Sequence, residues 1–253
     1  MRITVLGSGS AYSSAARFNS CYLVESGKNR LLLDCGSDAL RALQKSGIDI
    51  LEVDNILITH LHADHCGGLP AVLTAMHVAG RKKAIEVYVP GGQIDFVKSW
   101  LSNLFIYDGR MSFDIALRPI AGGQMNLGNG TVIESIRTTH LDKYSEFNRR
   151  NGIDASSFMI VINDGTTSFF FSSDIGSIDE VTGRMRGRAL SLIESTHLSL
   201  DEIAVMARSN NGTLYFTHIP MEMEEGGEWR RELNEKFGIH KLNLAYDGQV
   251  LNI

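Results

Sequence analysis

At 253 residues, with 43% hydrophobic and 21% charged side chains, the chain has the composition of a globular protein with a substantial core. No Pro/Ser-rich linker, low-complexity run or compositional break divides it, so we expect one domain over residues 1–253. It has no apolar run long enough to span a bilayer and no basic-then-apolar leader, so we expect it in the cytoplasm. A net charge of −5 gives no general attraction to nucleic acid, and three cysteines are too few for a disulfide scaffold.

Hydrophobic periodicity predicts that strands and helices alternate along the first half of the chain. The predicted strands are Ile3–Leu6, Cys21–Glu25, Arg30–Asp34, Val53–Ile58, Ile85–Val89 and two near Asp114–Leu117 and Thr131–Arg137. The predicted helices are Ser37–Ser46, Gly68–Ala79 and one from Pro90 to about Phe105.

The second half of the chain alternates in a similar way. The predicted strands are Ser157–Asn163, Ser168–Phe171, Leu190–Ile193, Thr213–Phe216, Leu242–Ala245 and Gln249–Leu251. The predicted helices are Ser199–Ser209 and one around Glu228–Phe237. Two similar halves favour an α/β protein built as a four-layer αββα sandwich, in which two mixed sheets pack face to face and helices lie outside both.

A metal-binding pattern follows the fourth predicted strand. The run His60–His65 holds three imidazoles and one carboxylate, which packing in a core does not explain. His60 and His62 are two residues apart, so an extended loop directs both rings to the same side, where they can share one ion. Asp64 and His65 are offset and can serve a second ion. Imidazole nitrogens and carboxylate oxygens suit zinc, with manganese as an alternative.

This run matches the His-x-His-x-Asp-His signature of the metallo-β-lactamase superfamily, and residues elsewhere resemble its remaining motifs. These residues lie in or directly after apolar segments and are Asp34, His140, Asp174 and His218. The resemblance implies the αββα fold and two divalent ions. The implied roles are a first ion on His60, His62 and His140, a second on Asp64, His65 and His218, a bridge at Asp174 and an orienting residue at Asp34. By themselves, His140 and His218 also fit hydrogen-bonded histidines at strand ends.

A further histidine narrows the chemistry. The segment Ile193–His197, upstream of His218, resembles the part of ribonuclease Z-type phosphodiesterases that supplies a catalytic histidine outside the ligand set. The resemblance implies that His197 donates a proton or stabilises charge near the scissile phosphate, a task that suits a pKa near neutrality. Glu194 would orient His197 or a metal ligand, and Asp64 would accept the proton of the attacking water. The alternative for His197 is a helix-entry residue without a catalytic role.

The resemblance therefore implies a dinuclear metal-dependent hydrolase in which a metal-bridged hydroxide attacks a phosphodiester. One substrate class is the 3′ region of RNA, as in ribonuclease Z, although no tRNA-gripping arm is evident between Gly80 and Thr139. The other is a small phosphodiester such as a cyclic nucleotide. A lactonase or thioesterase-type hydrolase and a non-hydrolytic metal-binding protein are the remaining alternatives. Because relatives are often dimers, a homodimer is also an expectation.

Overall fold

The computed structural model describes residues 1–128, 130–209, 212–225 and 227–253, and these residues form two mixed β-sheets. The strands of the first sheet are β1 (Arg2–Gly7), β2 (Cys21–Ser26), β3 (Asn29–Cys35), β4 (Asn55–Leu57), β5 (Ile85–Pro90), β6 (Ile115–Ile120) and β13 (Val250–Asn252). The strands of the second sheet are β7 (Gly123–Asn126), β8 (Val132–Thr138), β9 (Ser157–Asn163), β10 (Ser168–Phe171), β11 (Leu190–Glu194) and β12 (Thr213–Thr217). The spatial orders are β13-β1-β2-β3-β4-β5-β6 and β12-β11-β10-β9-β8-β7.

Short α-helices connect and cover these strands. Within the described residues they are α1 (Ala39–Lys45), α2 (Ala63–Cys66), α3 (Leu69–Val78), α4 (Ile94–Asn103), α5 (Ser145–Asn151), α6 (Asp179–Thr182), α7 (Leu200–Ser209), α8 (Met221–Glu225) and α9 (Glu228–Phe237). Single 3₁₀ turns occur at Ile50–Glu52, Gly91–Gln93 and Asp142–Tyr144. None of the helices in the described part of the chain has the length and apolar character needed to cross a membrane.

Three apolar clusters define the layers. The central cluster joins the inner faces of the two sheets, where the rings of Tyr22 and Phe171 lie 4.8 Å apart between centroids. A second cluster packs α1, α3 and α4 on the outer face of the first sheet. A third packs α6, α7, α8 and α9 on the outer face of the second sheet. The predicted four-layer αββα sandwich is confirmed.

Strand direction brings several loops to one edge of the sandwich. Strands β3, β4, β5 and β6 are parallel to one another, as are β10, β11 and β12. Strand β8 shares the direction of β10 because both are antiparallel to β9. A hydrogen bond of 3.2 Å from the Phe158 amide to the Thr59 carbonyl joins the sheets at the end of β4. The chain segments that follow β3, β4, β8, β10, β11 and β12 therefore meet at this edge.

One predicted strand is wrong, and others differ in length. Leu242–Ala245 forms no strand: Leu244 makes an isolated bridge with Phe216, and the segment runs beside β12 through two backbone hydrogen bonds to that phenylalanine. Strand β4 is shorter than the predicted Val53–Ile58 because a 3₁₀ turn immediately precedes Val53, whose amide bonds back to the Ile50 carbonyl. The prediction also omitted α2, α6 and α8, which are too short for a periodic apolar face, and α5, which buries none of its residues.

Candidate metal centre

Three histidines at the loop-rich edge form a first cluster. His60 and His62 follow β4, and His140 follows β8. The Nε2 atoms of His60 and His140 lie 3.1 and 3.3 Å from Nδ1 of His62. Two ligands of a tetrahedral zinc ion, each about 2.0–2.1 Å from it, lie about 3.3 Å apart. The three ring nitrogens are therefore spaced as ligands of one ion.

A second cluster contains Asp64 and His65 from α2 and His218, which follows β12. Oδ2 of Asp64 lies 3.0 Å from Nε2 of His218 and 3.6 Å from Nε2 of His65. All three side chains are buried. His218 has a φ of 52°, a left-handed conformation that is strained for a residue with a side chain. Its carbonyl accepts a hydrogen bond of 2.5 Å from the Thr196 hydroxyl, which helps to hold this conformation.

Asp174, just after β10, lies between the two clusters and presents one oxygen to each. Its Oδ2 is 3.5 Å from Nε2 of His140 and 3.8 Å from Nε2 of His60. Its Oδ1 is 3.2 Å from Nε2 of His65 and 3.7 Å from Nδ1 of His218. The two clusters therefore share this carboxylate.

The residues present fit divalent metal ions. Nε2 of His65, Oδ1 of Asp174 and Nδ1 of His218 are buried and have no hydrogen-bond partner among the described residues. Such atoms are costly to bury unless another group satisfies them. The two clusters also provide sets of ligand atoms that lie within 4.8 Å of one another. Coordination to a metal ion would give each of these three buried atoms a partner.

Asp34, at the end of β3, fixes the second cluster from behind. Its fully buried carboxylate accepts hydrogen bonds from the Thr59 amide at 2.8 Å, the Thr59 hydroxyl at 3.0 Å and Nδ1 of His65 at 2.7 Å. The Ser173 hydroxyl, next to Asp174, donates to the Thr59 hydroxyl oxygen at 2.7 Å. Because Nδ1 of His65 is engaged, its Nε2 is directed into the cluster. The orienting role of Asp34 stays a prediction, and these hydrogen bonds are its structural basis.

Burial and neighbouring charges set the protonation states. Burial lowers the pKa of His60 and His62, and it lowers the pKa of His140 to about 3, so these rings are neutral near pH 7. Burial also opposes ionisation of Asp174, but nearby histidines, His218 first and then His65, hold the pKa of that carboxyl well below its usual range. In turn, Asp174 and Asp34 raise the pKa of His65 well above its usual value despite burial, so His65 must release its proton when it binds metal.

His197 lies beside the clusters with Glu194 behind it. The Glu194 carboxylate accepts hydrogen bonds from the His197 amide at 2.9 Å, from its Nδ1 at 3.0 Å and from the Ile175 amide at 3.0 Å. Nδ1 of His197 is 3.8 Å from Oδ2 of Asp174, so its ring could also be grouped with Asp174 and His218 as a ligand. The bond to Glu194 raises the pKa of His197 despite burial, which favours the protonated form. Because Glu194 already engages Nδ1 of His197, that nitrogen is not free to bind an ion.

Glu180 of α6 was not predicted from the sequence, yet it ties together the two loops that carry His140 and Asp174. Its carboxylate accepts hydrogen bonds from the Thr139 hydroxyl at 2.5 Å, the Thr139 amide at 3.2 Å and the Gly176 amide at 3.2 Å. The loops touch so closely that a Cβ on Gly176 would lie 2.1 Å from the Thr139 hydroxyl oxygen. In the sequence, Glu180 resembles any helix-start glutamate.

The chain is similar to one protein family and to several known proteins. The model of one protein family, described as Anti-Pycsar protein Apyc1, matches residues 1–227. The chain is 32% identical over 142 residues to a protein named Ribonuclease Z from Archaeoglobus fulgidus, which covers 56% of this chain and 45% of that relative. It is 26% identical over 265 residues to a Ribonuclease Z from Bradyrhizobium sp., covering 85% of this chain and 88% of the relative. The chain thus spans about half the length of the first curated relatives it matches, and most of another.

A solved structure shares the fold over the whole chain. The metallo-beta-lactamase fold protein YhfI from Bacillus subtilis superposes with a TM-score of 0.74 at 20% identity and covers 99% of this chain and 98% of its own. At that identity the likeness shows the fold. The fold that the histidine run implied is therefore confirmed.

Proposed function

The chain belongs to the family described as Anti-Pycsar protein Apyc1, and from this membership, the metallo-β-lactamase fold and the geometry of the two clusters we propose that it is a dinuclear metal-dependent phosphodiesterase. The observation that carries the proposal is the placement of Asp174. One carboxylate oxygen faces His60 and His140, and the other faces His65 and His218. Two ions bridged by one carboxylate form a clamp suited to phosphoryl chemistry.

We assign the first ion to His60, His62 and His140 and the second to Asp64, His65 and His218, with Asp174 shared. The nitrogen-rich set suits zinc, with manganese as an alternative. Two such ions, when bound, polarise a phosphoryl oxygen and lower the pKa of water.

The protein contributes the proton transfer. His197 is held by Glu194 through two hydrogen bonds and remains 29% exposed, so its ring can reach a substrate at the edge of the site. We propose that protonated His197 donates to the departing oxygen of the phosphodiester and that Glu194 orients the ring and keeps it charged. We propose that Asp64, whose Oδ2 lies 3.0 Å from Nε2 of His218, accepts the proton of the attacking water as well as binding metal. A lactonase or thioesterase is the second candidate, but neither reaction gives protonated His197 a clear role.

We propose a small phosphodiester, such as a cyclic nucleotide, as the substrate class. About half of the described residues between α3 and β8 form β5, α4, β6 and β7, which are parts of the helix layer and the two sheets. This segment would be the place for an arm that grips tRNA, and these four elements of the sandwich leave only short connections between them. Cleavage of RNA, the activity stated in the name Ribonuclease Z of the relatives, is the alternative.

A substrate panel tests the proposed activity. Protein supplied with Zn²⁺ or Mn²⁺ is expected to hydrolyse bis(p-nitrophenyl) phosphate, and we expect cyclic AMP to be cleaved in preference to precursor tRNA. The variant His62→Ala should lose at least about a hundredfold in kcat/KM because the first ion loses a ligand. His240→Ala, at an exposed histidine outside both clusters, is the control. Turnover of lactones or thioesters without turnover of any phosphodiester would exclude the proposal.

Removal of the Glu180 carboxylate is expected to weaken metal binding. In Glu180→Ala the loops that carry His140 and Asp174 lose a shared anchor, so we expect zinc affinity to fall about tenfold, within the range seen for outer-shell partners. Competition with a chromophoric chelator measures this affinity. Glu228→Ala removes an exposed glutamate of α9 and should leave it unchanged. Equal affinity in the two variants would contradict the anchoring role.

A further inference from the structure

A tyrosine and a lysine border the metal centre without belonging to it. The 3₁₀ turn Asp142–Tyr144 begins two residues after His140. The ring of Tyr144 meets that of His62 edge-on, with centroids 6.1 Å apart, and the Lys143 ammonium lies 5.2 Å from the centre of the Tyr144 ring. We call this pair the Lys143–Tyr144 rim. The tyrosine is 43% exposed, so its ring is accessible from solvent beside His62.

The backbone holds the rim in a fixed position relative to the histidines. Leu141 is buried, the Asp142 amide donates to the Thr139 carbonyl at 2.9 Å, and the Tyr144 amide donates to the Leu141 carbonyl at 3.0 Å. Arg137 of β8 pairs with Asp142 at 2.5 Å. The turn is therefore anchored to β8, the strand that precedes His140. As a result, the exposed tyrosine has a fixed position and does not lie on an unanchored loop.

The lysine brings positive charge to the mouth of the site. Its ammonium lies over the ring of Tyr144, which meets the ring of His62, and Lys143 follows His140 by three residues. Lys143 is exposed, and its flexible chain can swing from the tyrosine ring to a bound anion.

We propose that the Lys143–Tyr144 rim recognises a nucleotide: Tyr144 stacks on the nucleobase of the substrate while Lys143 pairs with its phosphate. This inference rests on the proposed phosphodiesterase function and specifies its substrate class as one with a planar base. In a nucleotide the base and the phosphate are separated by one sugar. A phosphate bound at the metal centre therefore places the base near an aromatic ring that borders this centre. Tyr144, next to His62, is that ring. An aromatic platform with a nearby cation binds bases without requiring a particular sequence.

The test measures binding rather than turnover. Protein loaded with Zn²⁺ is titrated calorimetrically with AMP and with ribose 5-phosphate, which lacks the base. We expect the wild-type protein to bind AMP about tenfold more tightly than ribose 5-phosphate, the usual scale of stacking on one aromatic ring. Tyr144→Leu should bind the two ligands equally, and Tyr144→Phe, which keeps the ring, should retain the preference.

The lysine is tested with the same two ligands. Lys143→Ala should weaken both by about threefold to fivefold because an exposed ion pair contributes up to about 1 kcal/mol. Lys82→Ala serves as the control, since Lys82 is also exposed but precedes β5 at the opposite end of the parallel strands. Its affinities should equal those of the wild-type protein.

Several outcomes would overturn the rim. One is that the metal-loaded wild-type protein does not bind AMP, and another is that Lys143→Ala binds both ligands as the wild-type protein does. The others concern Tyr144→Leu: it keeps the wild-type preference for AMP over ribose 5-phosphate, or its affinity for both ligands falls equally. Hydrolysis of bis(p-nitrophenyl) phosphate by the same preparations reports separately on the proposed function. A base-dependent preference in a protein that hydrolyses no phosphodiester would keep the rim and exclude the phosphodiesterase.

Discussion

Replacement of Asp174 with asparagine is expected to lower phosphodiester turnover by about a thousandfold or more and to reduce the number of bound metal ions. The carboxylate presents separate oxygens to the two clusters, and a neutral amide can neither bridge two cations nor balance their charge. A loss of about 4 kcal/mol, the scale of charge stabilisation by a bound metal, corresponds to about this decrease in rate.

Metal content and kcat/KM measured on the same preparation distinguish this effect from misfolding. Asp179→Asn is a matched control because Asp179 is exposed on α6, only five residues away. It should retain full activity and metal content, and both variants should show the far-UV circular dichroism of the wild-type protein. If Asp174→Asn kept its full metal complement and turned over within about tenfold of the wild-type rate, Asp174 would not be the bridge.

The layers of the fold and the clustered metal-binding residues could be predicted because each produces a strong pattern in the local sequence. Nearly continuous apolar segments such as Ser157–Asn163 are typical of strands buried on both faces, and that strand has the predicted bounds. The donors follow such strands, and parallel strand ends meet at one edge. The division of the two Asp174 oxygens between clusters could not be predicted, because it depends on how two sheets pack.

Elements without an apolar pattern were missed for a physical reason. Strand β7 has the polar, mostly exposed sequence Gly123–Asn126, and α5 buries none of its residues. Leu242–Ala245 has a strand-like sequence but pairs through a single bridge. Glu180 acts through the long-range neighbour Thr139, and its surroundings in the sequence are those of a solvated charge. Local sequence patterns therefore predict the strands and the metal-binding residues that follow them. They do not predict which charged side chains make long-range contacts in the folded protein.

Replacement of Glu194 with glutamine is expected to lower kcat for cyclic AMP by about tenfold to a hundredfold and to move the alkaline limb of the pH profile to lower pH. The hydrogen bond from His197 to Glu194 raises the pKa of His197. Activity that needs the protonated ring is lost as pH rises through that pKa. Without the carboxylate the pKa is lower, so the loss begins at lower pH.

The leaving group separates an acid from a residue that merely supports the fold. In His197→Ala we expect kcat for cyclic AMP, which releases an alkoxide, to fall about a hundredfold to a thousandfold. The loss for bis(p-nitrophenyl) phosphate should be much smaller, because p-nitrophenolate departs without a proton. Glu228→Gln, at an exposed site on α9, should change neither rate. Since a damaged metal centre would slow both substrates alike, equal losses with metal content unchanged would rule out proton donation by His197.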